Sequence, residues 1–348
     1  MGYANSGTER EPSGHRGIRV PQTLNILFTC VGRRVGLLEA FRRSMADLGV
    51  RGRLFGADWS PLAPAFHLAD EGFMVPGVNA PDYVEALLDI CRRREVGLVI
   101  PLIDWELQVL SLARERFAEV GARMLVSSPR VVETCRDKER AFEFLTSVGL
   151  GVPKPISYEE ALKGPFPLCV KPQFGSSTRH VRYVRNRSAL RRYGSRRHSN
   201  FIVQEYVRGR EFTVDVYAGL DGVPRVAVPR ERLQVRAGEV TKARTVRHPE
   251  IIDHSMRLVG GLTECLGVIT VQCFLTRRGE IKFFDMNPRF GGGVPLTIRA
   301  GADFPRWIIQ QHLGNEVEIE PNGWQENLVM LRYDAEVFCK EDELPKPV

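Results

Sequence analysis

The sequence predicts an α/β and α+β chain, with an open parallel α/β domain first and a hairpin-rich region after it. Three observations carry this reading. Over residues 24–127 short apolar runs alternate with amphipathic stretches, the pattern of a parallel sheet covered by helices. Beyond residue 200 the apolar runs are joined by tight-turn signals, Asp221-Gly222-Val223-Pro224 and Arg277-Arg278-Gly279-Glu280. At 348 residues the chain has room for two domains or one large multi-lobed one.

Residues 1–23 are polar, with Gly, Ser, Pro and mixed charge, and no apolar signal-peptide core. They are expected to be a disordered lead-in. Met1-Gly2 with Ser6 satisfies the short myristoylation pattern, a loose match whose single acyl chain would anchor only weakly.

The run LNILFTC (24–30) is a β-forming stretch, followed by Val31-Gly32-Arg33-Arg34. A helix then places Leu37, Leu38, Phe41 and Met45 on one face. Residues 53–57 read as a second strand ending at Asp58, a position from which an acid can bind a ribose hydroxyl. Gly32 and Gly36 lack the spacing of a dinucleotide fingerprint, which weakens that NAD reading. A third strand is expected at 73–75. Next comes a helix over 82–94 with Tyr83, Leu87, Leu88 and Cys91 inward. VGLVIP (96–101) is apolar throughout, as a parallel strand covered on both faces should be. A helix over 106–120 and a strand at 124–126 complete the unit. Ligands of such sheets lie beyond the carboxyl ends of the strands. That rim holds Gly32, Arg33, Arg34, Asp58 and Asp104.

One helix is expected over 128–148 with Lys138 inside it, then a short helix at 158–162. FPLCVKP (166–172) is a strand with Lys171 at its end. Lys171 could simply snorkel. The small-residue turn that follows, Gln173 to Thr178, is of the kind whose backbone amides wrap phosphate. FIVQEYV (201–207) is a strand, then Gly209, Glu211 and an alternating strand at 212–217 with Asp215 inside. A strand at 226–228 leads to Arg230, Arg232, Arg236 and Lys242. This basic segment is either a surface hairpin or an anion-binding wall. A helix over 251–266 delivers the chain to two strands joined at 277–280.

The first of those strands carries Gln272 and the second Asp285 and Asn287, which share a face because they lie two apart. A carboxylate and an amide oxygen side by side suit Mg²⁺. Arg289 adds a charge shaped for phosphate oxygens, and Gly291-Gly292-Gly293 allows close backbone approach. The alternative for this stretch alone is a plain hairpin with a polar end. A last strand is expected over 327–338, before a charged tail at 339–348.

Composition narrows the function classes. Hydrophobic content of 43% and charged content of 26% are those of a soluble globular chain. The longest apolar runs, such as 96–103, are too short to cross a bilayer, so no membrane partner is expected. Seven cysteines without paired spacing, among them Cys30, Cys169 and Cys273 in apolar contexts, point to free thiols in the cytoplasm. The net charge of +7 and the arginine runs at 92–94 and 179–197 lack a nucleic-acid docking motif. A solvated face, or anionic small substrates, accounts for them equally well.

Taken together, FFDMNPRFGGG, FIVQEYVRGREFTVDVY and LCVKP with its Gly/Ser loop resemble the ATP-grasp superfamily, most closely its carbamoyl-phosphate-synthase-like branch. The resemblance covers 24–335. It implies an N-terminal pre-ATP-grasp domain (24–127), a small lobe with a linker helix (128–207) and a large lobe (208–338). It implies that Lys138 and Lys171 hold ATP phosphates, with Gly175 and Ser176 in the phosphate loop. Gln204, Glu205 and Val207 would line the adenine, and Glu211 would take the ribose. Gln272, Asp285 and Asn287 would hold Mg²⁺, for which Mn²⁺ can substitute. Arg289 would stabilise the transferring phosphate, with Arg230, Arg232, Arg236 and Lys242 at the acceptor end and Arg33, Arg34 and Asp104 as further substrate contacts. The implied reaction turns a carboxylate into an acyl phosphate that an amine then attacks. The partners are therefore a small carboxylate and an amine, with homodimerisation common in such folds. An ATP-binding regulatory or scaffold protein is the alternative. Two departures stand out. The phosphate loop has a single glycine, and Asp285 stands where the family has Glu, which leaves one or two metal ions open.

Overall fold

The computed structural model describes residues 22–175, 181–196 and 201–345. Of the expected lead-in, 1–21 lies outside the described residues, while Thr23 already bridges Arg51. Ser176, and parts of the phosphate loop and of the 179–197 arginine stretch, also lie outside them.

The first unit runs β1 (Asn25–Thr29), α1 (Val35–Leu48), β2 (Leu54–Asp58), α2 (Pro64–Leu68), β3 (Glu71–Met74), α3 (Tyr83–Arg93), β4 (Val96–Pro101), α4 (Asp104–Leu112), α5 (Arg114–Glu119) and β5 (Arg123–Met124). Its strands form a five-stranded parallel sheet in the order β3-β2-β1-β4-β5. Apolar side chains on both faces bury this sheet, which is why β4 reads as a continuous apolar run. Leu37, Leu38, Phe41 and Met45 are buried on α1, and Tyr83, Leu87, Leu88 and Cys91 on α3. The helix expected over 106–120 is instead two, interrupted at Ala113, where the backbone leaves helical values (φ −97°, ψ 3°).

The stretch expected as one helix over 128–148 is α6 (Pro129–Arg136) and α7 (Lys138–Ser147). Asp137 breaks it. Its backbone is extended (φ −93°, ψ 115°) and its carboxylate accepts from Glu139 N at 2.9 Å, an N-cap that competes with helix continuation. Asp137 also forms an antiparallel bridge to Phe174. Lys138 therefore sits at the first position of a helix rather than inside one.

A four-stranded antiparallel sheet follows, in the order β6-β9-β7-β8. It comprises β6 (Pro155–Ile156), α8 (Tyr158–Ala161), β7 (Leu168–Pro172), β8 (Arg182–Val184), α9 (Arg187–Arg196) and β9 (Phe201–Glu205). Part of the arginine-rich stretch is thus the helix α9. It buries Leu190 and leaves Arg191 and Arg192 at the surface.

The last unit contains β10 (Gly209–Gly219), β11 (Val226–Arg236), β12 (Glu239–Thr245), α10 (Pro249–Gly261), β13 (Gly267–Thr276), β14 (Ile281–Asn287), α11 (Val294–Arg299), α12 (Phe304–His312) and β15 (Val329–Leu331). Its six-stranded antiparallel sheet has the order β14-β13-β10-β11-β12-β15. The strand expected at 226–228 is the start of an eleven-residue one. The strand expected over 327–338 shrinks to three residues, because Tyr333 and Phe338 project into solvent without a sheet face to pack on. The largest core is shared between the parallel sheet and this one. Phe28, Phe41 and Ile100 pack in it with Tyr217, Val228, Phe290 and Phe304. A second core joins α6 and α7 to the opposite face of the six-stranded sheet, and a small separate core backs the four-stranded sheet. Among the described residues no helix is long and apolar enough to cross a membrane.

Candidate functional site

A cavity of about 410 Å³ opens where the three sheets meet. The antiparallel register of β13 and β14 sets Gln272 abreast of Asp285 and Thr270 abreast of Asn287. These residues line the cavity with Lys138, Lys171, Arg230 and Arg289. Asn287 Nδ2 donates to Asp285 Oδ2 at 2.9 Å, and Arg289 Nη2 donates to Asn287 Oδ1 at 3.3 Å. The carboxylate, amide and guanidinium thus form one connected edge.

Lys171 is 4% exposed. Its ammonium donates to Phe284 O at 3.1 Å and lies over the rings of Phe142 and Phe284, at 5.1 and 5.6 Å. Burial lowers its pKa to about 8; Asp285 opposes the shift and the nearby Lys138 adds to it. Lys138 Nζ donates to Gly175 O. The loop after β7 is pinned to the break between α6 and α7, with Lys138 N on Gln173 O (3.0 Å) and Gly175 N on Arg136 O (3.2 Å). Gly175 takes a positive φ of 83°, which glycine adopts without strain.

Arg289 Nη2 also forms an ion pair with Asp104, the first residue of α4. Glu106, fully buried, holds the loop that presents Asp104. It accepts from Leu102 N (2.8 Å), Ile103 N (3.0 Å) and the Tyr83 hydroxyl (2.6 Å). Burial raises the pKa of Glu106, although each of these hydrogen bonds pulls it back.

Arg230 is 1% exposed, and its Nε and Nη2 donate to Asp215 at 2.8 and 3.0 Å. Its Nη1 is buried without a partner among the described residues. Thr270 and Thr297 hydroxyls complete the shell of Asp215, at 3.1 and 2.6 Å. Asp215 and the two threonines were not among the expected site residues. The only signal for them was an acid inside an alternating apolar strand.

Other expected residues lie elsewhere. Lys242 is exposed on β12 and does not line the cavity, so its expected place at the acceptor end is corrected. The pairing of β11 with β12 slips on either side of Gln234, and the buried phase of β12 passes from Val240 to Ala243, turning Lys242 outward. Gln204, Glu205, Val207 and Glu211 also stand outside the cavity lining. Gln204 is 3% exposed and its Oε1 has no partner among the described residues. Glu205 accepts from Lys154 N (2.9 Å) and Lys282 Nζ (2.5 Å), tying β9 to β14. Burial would raise its pKa, but these two donors bring it below the usual range. Glu211 pairs with Arg232 at 2.6 Å; burial raises its pKa and Arg232 opposes the shift. Val207 follows the end of β9.

Gln272, Asp285 and Asn287 offer oxygens with a single carboxylate. Among the described residues no group of three or more His, Cys, Asp or Glu could hold a metal. Such a donor set fits a hard cation that shares its coordination with phosphate oxygens, not a metal caged by protein alone.

The comparisons with known proteins agree with this geometry. Residues 26–125 match the family described as PylC-like, N-terminal domain, and residues 135–293 match the ATP-grasp domain. Carbamoyl-phosphate synthase from Methanobrevibacter smithii is 23% identical over 158 residues, which cover 43% of this chain and 41% of that protein. The biotin carboxylase–β,γ-ATP complex from Campylobacter jejuni superposes with a TM-score of 0.69 at 14% identity, covering 88% of this chain and 74% of that one. The L-amino acid ligase from Bacillus licheniformis gives 0.64 at 17% identity, covering 84% and 75%. The chain spans less than half of the carbamoyl-phosphate synthase it matches, and the structural likenesses establish the fold. With a PylC-like unit over residues 26–125 ahead of two antiparallel sheets around one cleft, the chain carries an ATP-grasp domain over residues 135–293.

Proposed function

We propose that the chain is an ATP-dependent ligase that activates a carboxylate as an acyl phosphate and passes it to an amine. The observation that carries this reading is the convergence, in one cavity, of Lys138, Lys171, Asp285, Asn287 and Arg289 from different elements. The similar structures, a biotin carboxylase and an L-amino acid ligase, support the reaction class.

Phosphoryl transfer demands positioning and charge stabilisation more than covalent chemistry. Lys138 and Lys171 hold the phosphate oxygens from two sides. Gln272, Asp285 and Asn287 hold Mg²⁺, which when bound offsets phosphate charge. Arg289 takes up the charge that develops on the transferring group, and Arg230 faces the acid. A carboxylate oxygen of the acid bonds to the γ-phosphorus as its bond to the bridging oxygen of ADP breaks. The amine nitrogen then bonds to the acyl carbon, the carbon–oxygen bond to phosphate breaks, and the amine gives up a proton. The products are ADP, phosphate and an amide.

The test is Mg²⁺-dependent ADP release over a broad panel of acids and amines, with mass spectrometry of the products. ADP that appears only with a particular acid and amine supports the reading, and silence across the panel ends it. The second reading, a nucleotide-binding protein without turnover, rests on the ion pair by which Asp104 already occupies Arg289. In that case Asp285→Ala changes nucleotide affinity and there is no turnover to lose.

A further inference from the structure

Arg34 ends the loop after β1 and lines the cavity, half-buried. Its backbone is bonded to Val31 and to the first turn of α1, but its guanidinium has no hydrogen-bond or ion-pair partner among the described residues. The two carboxylates that act on it electrostatically, Glu239 and Asp104, are committed to other residues. Glu239 pairs with Arg33 at 3.1 Å and with Arg332 at 3.2 Å. Asp104 pairs with Arg289. Four arginines, Arg33, Arg34, Arg289 and Arg332, therefore share two carboxylates, which leaves an excess of positive charge at this wall.

The glycine turn lies directly against it. A Cβ at residue 292 would stand 2.8 Å from Arg34 Nη1, and one at residue 293 would collide with Arg230 Nη1. Adjacent glycines thus let two guanidinium groups, one from the loop after β1 and one from β11, come up to the same stretch of backbone. Arg230 is held by Asp215 through Nε and Nη2, so only its buried, unpartnered Nη1 remains to serve a ligand. A buried donor without an acceptor, beside a guanidinium without an ion-pair partner of its own, is costly unless an anion completes both.

We propose that Arg34 and Nη1 of Arg230 form a two-arginine seat for a carboxylate of the acid substrate, so that the first loop of the parallel sheet selects the substrate of the site. The planar fork of a guanidinium matches a carboxylate's paired oxygens, and Arg34 has its whole fork available. The phosphate end lies elsewhere in the cavity, where Lys138 and Lys171 stand near Asp285. The role as substrate seat rests on the ligase reading, whereas anion binding itself does not.

The test separates the two. The full chain, saturated with Mg²⁺ and a non-hydrolysable ATP analogue, is titrated with bicarbonate, acetate, malonate and L-glutamate, and in parallel with inorganic phosphate. All are read as Tm shifts at constant ionic strength. At least one carboxylate is expected to stabilise the wild type. Arg34→Ala should weaken that binding at least about tenfold, and Arg34→Lys should restore only part of it, because a point charge lacks the fork. Arg43→Ala, on the exposed face of α1, should leave it unchanged, and the analogue's own Tm shift shows that each variant is folded. The proposal is overturned if no carboxylate stabilises the wild type, if Arg34→Ala binds the carboxylate as tightly, or if only phosphate binding depends on Arg34. If a carboxylate binds through Arg34 but no ADP is released with any amine, the seat stands and the ligase reading fails.

Discussion

Asp104 and Arg289, 185 residues apart in sequence, form an ion pair that joins the parallel sheet to the edge of the six-stranded sheet. The aim of the Arg289 guanidinium is thereby set by a different unit from the one that carries it. Asp104→Asn is expected to lower kcat for ADP release roughly 10- to 100-fold by misaiming that group, with KM for ATP within about twofold. Steady-state kinetics at saturating acid and amine check this. A rise in KM with kcat unchanged would assign Arg289 to ground-state binding instead.

Asp285 supplies the only carboxylate of the Gln272–Asp285–Asn287 set. Asp285→Ala should reduce Mg²⁺-dependent turnover by a factor on the order of 10²–10³, the scale for removing one electrostatic stabiliser from such a site. Asp285→Glu, with the longer arm, should retain most turnover and change the metal concentration needed for half-maximal rate. Titration with Mg²⁺ and Mn²⁺ gives the measurement.

Lys171 has a folded pKa of about 8, below its ordinary 10.5. Below pH 8 the free site carries the ammonium that phosphate requires, and above it the charge is progressively lost. KM for ATP is therefore expected to rise as pH goes from 7 to 9, and Lys171→Arg should flatten the profile. Stability moves the other way. Between the folded and unfolded pKa values the unfolded chain holds the extra proton, so this group's contribution to stability grows as pH rises from 8 towards 10.5. Paired pH series of KM and Tm separate the two effects.

Asp215 neutralises Arg230 in a fully buried pair. Asp215→Ala leaves a buried charge uncompensated and should cost about 3–5 kcal/mol, seen as a lower denaturant midpoint. Replacing both residues with apolar ones of similar size should recover much of that stability while abolishing acid binding at the seat.

The parallel sheet was the most readable part of the chain, because strands covered on both faces and helices with one buried stripe impose strong periods. The breaks were less readable. Asp137 divides a helix because a short acid prefers to cap the next turn, and nothing in the apolar spacing of 128–148 signals it. Helices α11 and α12 also went unread, and of the β11–β12 pair only a short strand at 226–228 and a basic hairpin or wall beyond it were expected. The β11–β12 pair passes from buried to exposed along its length through a bulge, so neither period holds throughout. Within the site, the shared face of Asp285 and Asn287, with Arg289 beside them, was legible from spacing alone. Arg230's commitment to Asp215 and Lys242's outward turn were not, because both depend on pairing across strands distant in sequence.

The shared core that packs Phe28 and Phe41 with Tyr217 and Phe304 makes the two larger sheets one cooperative folding unit. Among the described residues the four-stranded sheet keeps its own core of only six buried residues, among them Leu168, Val170 and Leu190. Backbone amides there should exchange with solvent through a lower-energy opening than those of β1 or β13. Lys171 sits on that weaker unit while Asp285 sits on the stronger one. A ligand spanning both would slow exchange across the small sheet far more than across the rest, and deuterium uptake would locate the nucleotide before any turnover is measured.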